Sequence, residues 1–107
     1  MGETPTESLY VDSATLRQRF DDLDVLGRLR RGEVAAVVSR EWPAPESAGQ
    51  PAGTMSQRVL YLEGDRLIAV AHQYLLPDGT IGGSGRRLPD PKWIRDGDTI
   101  LKFTPHR

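Results

Sequence analysis

Few residues in this chain are equipped for chemistry. His72 and Tyr74 are separated by one residue within a run of strand character, so both side chains share a sheet face. There an imidazole could serve as general base beside a phenol. Val70 and Leu76 occupy the same face, and this apolar company favours a packed histidine with one satisfied hydrogen bond. The string Gly82-Gly83-Ser84-Gly85-Arg86-Arg87 offers backbone amides that could cradle a phosphate and two guanidinium groups to neutralise it. It lacks the lysine and hydroxyl of a nucleotide-binding P-loop, and its glycines do not follow the dinucleotide spacing, so a flexible turn is the favoured reading. Asp21, Asp22 and Asp24 invite a metal assignment, yet neighbours on a helix point about 100° apart and read better as a solvated face. Asp96-Gly97-Asp98 lacks the further ligands of a calcium loop. With no cysteine and only two histidines, His72 and His106, thiolate chemistry and a histidine-rich metal site are excluded. No serine lies in a nucleophile elbow. The residue types therefore predict no catalytic set, no metal and no cofactor.

Charge and aromatic content point to binding instead. The 107 residues carry a formal net charge of −1, but residues 1–79 hold 8 basic and 12 acidic side chains whereas residues 80–107 hold 6 and 3. Trp42 and Trp93 are the largest apolar side chains, each set in polar, proline-containing sequence. A tryptophan beside arginines makes an economical interface anchor. Arg86, Arg87, Lys92, Trp93 and Arg95 are accordingly the candidate binding residues, and a protein partner is the expected occupant. Nucleic acid is disfavoured by the net charge, and a homodimer is compatible with the pattern. No run of about 18 apolar residues and no secretory pattern is present, so a cytoplasmic protein is expected.

The elements that must position these residues follow from periodicity and punctuation. Residues 1–8 contain no large apolar side chain and read as a mobile leader, leaving 9–107 as one domain. Leu16, Phe20, Leu23 and Leu26 recur at helical spacing behind a cap at Asp12 or Ser13, with Gly32 as stop and Gly27 as a point of division. Glu33 to Trp42 is apolar on both sides near its start, which predicts a central strand. Residues 43–56 form a long Pro/Gly loop. Gln57 to Glu63 and Arg66 to Leu76 form a hairpin about Gly64-Asp65, and Pro77-Asp78-Gly79 turns the chain into a third strand at 80–82. Asp90 and Pro91 predict a short helical turn carrying Trp93 and Ile94, and Thr99 to Phe103 closes the sheet. The predicted fold is α+β: an N-terminal amphipathic helix on an antiparallel sheet of four or five strands.

Two resemblances emerge. The string from His72 to Gly85, followed by Asp90-Pro91-Lys92, looks like the C-terminal part of a set of small bacterial proteins, a likeness that implies no activity. The segment Arg58-Val59-Leu60-Tyr61-Leu62-Glu63-Gly64-Asp65-Arg66-Leu67-Ile68-Ala69-Val70 resembles the central hairpin of RelE/ParE-type toxins, in which an arginine opens the strand before the turn. That resemblance implies a ribonuclease acting on messenger RNA through Arg58, with His72 and Tyr74 beside it. The departures are Gln73, Leu75, Leu76 and Pro77 where those toxins are basic, the low net charge, and a two-helix hairpin that must fit within residues 13–31.

Overall fold

The computed structural model describes residues 7–82 and 89–103. Ten residues, Ser13–Asp22, form helix α1, opened by Asp12, whose carboxylate accepts a hydrogen bond from the Thr15 amide at 2.8 Å. The helical run then breaks at Asp24, a non-glycine residue with φ of 52°, and resumes as α2, Val25–Arg30. The division predicted at Gly27 therefore falls three residues earlier. Gly27 has a different duty, since a Cβ there would overlap the Asp24 carboxylate. Gly32 ends α2 at φ of 80°, as its position predicts.

One mixed sheet lies beneath the helices. Its strands are β1 (Glu7–Val11), β2 (Ala35–Pro43), β3 (Met55–Glu63), β4 (Arg66–Leu75), β5 (Ile81–Gly82), β6 (Asp90–Asp96) and β7 (Thr99–Phe103). The order is β1-β7-β6-β4-β3-β2, with β5 pairing β4 off this path. Every pair is antiparallel except β1 with β7. A parallel pair needs a crossover, and the whole chain between these strands supplies it.

Four expectations are corrected. The sheet has seven strands and is mixed, not an antiparallel sheet of four or five. Glu7 and Ser8, placed in a leader, begin β1; residues 1–6 lie outside the described residues. β2 is an edge strand rather than a central one, and Val37 and Val38 are each 46% exposed. Residues 90–94 extend as part of β6 instead of a helical turn, because pairing with β4 on one side and β7 on the other outweighs the local Asp-Pro signal. Pro91 is accommodated beside a register shift, the position a sheet allows proline.

The core occupies one face of this sheet. Leu16, Phe20 and Val25 from the helices bury against Val59, Tyr61, Ala69, Ala71, Ile94 and Leu101. Phe20 meets Tyr61 edge to face with centroids 5.6 Å apart. Burial raises the Tyr61 phenol to about 12, with Arg17 opposing. Because side chains alternate along each strand, the residues between these core positions line the opposite face, over which no described helix packs.

Candidate functional site

The open face is organised in rows. Tyr10, Lys102, Trp93, Val70, Leu60 and Val37 are successive cross-strand partners from one edge to the other. None of the six is buried, and Tyr10 is 66% exposed. A largely apolar band thus crosses the whole sheet in contact with solvent. Its cation, Lys102, lies 5.8 Å from the centre of the Tyr10 ring.

Below the band runs a charged row, Asp90, His72, Arg58 and Arg40, and then a row of Gly82, Tyr74, Ser56 and Trp42. Strict alternation along β2 would place Arg40 and Trp42 on the helix side with Val38. A bulge at Ser39 prevents this: Val38 faces Val59, and the next pair is Arg40 with Arg58. The extra residue reverses the facing of everything beyond it. Ser39 holds the bulge by donating from Oγ to the Arg58 carbonyl at 3.3 Å and accepting from Arg58 Nε at 3.0 Å.

His72 sits at the centre of these lower rows. Its ring is edge to face with Tyr74 at 4.7 Å and tilted against Trp42 at 6.1 Å. Nε2 is hydrogen-bonded to Ser56 Oγ, and Ser56 is buried between Trp42 and Tyr74. Burial holds the imidazole below its ordinary value of 6.5, Lys92 pushes the same way, and Asp90 opposes. The ring is therefore neutral at pH 7 and serves as a packed, hydrogen-bonded platform.

Arginine pairing separates the two faces. On the helix side Arg17 meets Asp21, Arg19 meets Asp96, Arg28 meets Glu63, and Arg31 meets Asp24 and Glu33. On the open face Arg40, Arg58 and Arg95 have no carboxylate partner among the described residues. Arg40 instead stands 5.5 Å from the Trp42 ring, and the Nε of Arg95 is buried without a hydrogen-bond partner. Asp90 is the acid paired with His72 across the strands, and Lys92 already engages it at 2.9 Å.

The predicted residues are distributed unequally across this surface. Trp93 and Arg95 share the open face, whereas Lys92 falls in the β6 register shift, pairs with Asp90 and lies 4.5 Å from the Phe103 ring. Arg86, Arg87 and the glycine string from 83 onward lie outside the described residues. Arg58, His72 and Tyr74 do come together, Arg58 and His72 as direct cross-strand partners. Arg40, Tyr10 and Lys102 join this surface without a local sequence signal for a site, and Trp42, a large apolar side chain in polar sequence, joins it beside Arg40. What places Arg40 and Trp42 there is the bulge, which alternation alone conceals.

Beyond the helices the covered face continues as a polar ladder, with Gln73 donating to Gln57 at 2.9 Å and Gln57 donating to Glu41 at 2.6 Å. A cavity of about 350 Å³ opens at the junction of α1 and α2 against Phe20, Asp24 and Arg30. No group of three or more metal-ligating side chains occurs among the described residues, and none of their helices is long and apolar enough to cross a membrane. No protein-family model, curated protein or solved structure matches the chain.

Proposed function

We propose that the protein is a small, non-catalytic, cytoplasmic binding module that engages a protein partner through the open face of its sheet. The observation that carries this is the row Tyr10-Lys102-Trp93-Val70-Leu60-Val37, exposed at its two ends and half-buried between them, in which a tryptophan lies between a lysine and two aliphatic side chains. A flat apolar band with an aromatic centre and cationic neighbours is the composition of an interface core rather than of an inert surface. In this reading Tyr10 and Lys102 join Trp93 and Arg95 on the binding surface. The test compares proteins that copurify with the wild type and with Trp93→Ala. A partner held by the wild type and lost by a variant of unchanged melting temperature supports the assignment. An identical set of copurifying proteins contradicts it.

A second reading, a ribonuclease of the RelE/ParE kind, is favoured by one observation: Arg58, His72 and Tyr74 share the open face at cross-strand distance. Against it, the His72 Nε2 is already hydrogen-bonded to a buried serine and the imidazole is half-buried. Induced expression that arrests growth, with relief by Arg58→Ala, would replace the binding-module assignment.

A further inference from the structure

We propose that the lower half of the open face, built from Arg40, Trp42, Arg58, His72 and Tyr74, is a binding site for a single strand of nucleic acid. The observations are the convergence of flat rings and of guanidinium groups with no carboxylate partner among the described residues. Trp42 and Tyr74 occupy one cross-strand row on either side of Ser56, and the His72 ring touches both. Arg40 and Arg58 face each other in the adjacent row, both exposed. Each of these features has a different natural complement. Rings on an open sheet stack on unpaired bases, and unpaired guanidinium groups take phosphates.

Three considerations select this ligand among anions. An acidic peptide would satisfy the arginines but leave the rings without a stacking partner. A duplex hides the faces of its bases. A mononucleotide is too short, since Trp42 and Tyr74 lie two strands apart, about 10 Å, and one base cannot cover both. The overall charge of −1 does not oppose binding here, because several of the acidic groups are neutralised on the helix side, where Arg17, Arg19, Arg28 and Arg31 meet them. Locally, the face presented to the ligand is cationic.

The site acts by contact alone and requires no bond cleavage, so it stands apart from the ribonuclease reading. Its test uses a fluorescein-labelled twelve-residue oligothymidylate, which has no 2′-hydroxyl, titrated with the full-length protein and followed by anisotropy. Saturable binding is expected, weakening about sevenfold between 50 and 200 mM salt if two phosphates are contacted. Arg40→Ala with Arg58→Ala should remove most of this salt dependence, and Trp42→Ala should weaken binding about tenfold. Arg30→Ala, on the opposite face, should change nothing. Absence of binding, indifference to the Arg40/Arg58 pair, or displacement by polyglutamate as effective as by unlabelled oligothymidylate would overturn the proposal. Cleavage of the matching oligouridylate, scored separately, bears on the ribonuclease alternative only.

Discussion

The two faces of the sheet differ less in residue types than in what each residue is given to do. On the covered face, apolar groups touch apolar groups and four of the five arginines of the helical segment meet a carboxylate. Even its polar extension is internally satisfied, through the ladder from Gln73 to Glu41. On the open face Trp42, Tyr74 and Tyr10 meet a histidine or cations, Trp93 stays half-buried, and Arg40, Arg58 and Arg95 have no carboxylate partner among the described residues. A surface assembled for stability alone would pair those cations and bury those rings. The contrast locates folding on one side of the sheet and recognition on the other.

The contrast is broken most severely at Ala71, fully buried in the centrally placed β4. Ala71→Asp puts an unpaired carboxylate among helix-side core groups at a cost of several kcal/mol, a large part of a small domain's stability. Loss of the cooperative thermal transition is expected. Phe20→Ala, which removes the ring packed on Tyr61, should cost about 3–5 kcal/mol by chemical denaturation. Next comes pH. Because His72 is held below its ordinary value when folded, the unfolded chain binds more protons in the window just under 6.5. Stability should fall with pH through that window and level off once the folded imidazole also protonates. His72→Gln should flatten that part of the profile. Smallest are the arginines: Arg19→Ala, losing an exposed ion pair with Asp96, should lower the melting temperature only slightly, and less at high salt. Arg40→Ala, with no carboxylate to lose, should be neutral within about 0.5 kcal/mol.

What was legible in the sequence was local. The β3–β4 hairpin is written in Gly64-Asp65, where Gly64 takes φ of 60°, and the start of α1 in a side chain that caps its own helix. From the two-residue period alone, His72 and Tyr74 could be placed together, and the hairpin added Arg58. What stayed hidden was decided at long range. β1 pairs with the last strand of the sheet, some ninety residues away in the chain, so nothing near Leu9 announces it. Asp90-Pro91 opens a helix or a strand equally well until β4 claims it. The apolar pattern of β2 records no missing neighbour, which is why an edge strand looked central. Most consequential is Ser39, a single inserted position that carries Arg40 and Trp42 to the open face.

Both tryptophans of the chain, Trp42 and Trp93, lie on that face beside unpaired cations, so collisional quenching of their fluorescence by ions of opposite sign reads the central claim directly. Iodide should quench both residues, with a ratio of iodide to caesium quenching above that of free N-acetyltryptophanamide at equal ionic strength, and with the excess reduced in the Arg40→Ala/Arg58→Ala variant. Blue-shifted emission resistant to iodide, or a ratio no higher than that of the free indole, would show that the face is covered or uncharged and would overturn this assignment.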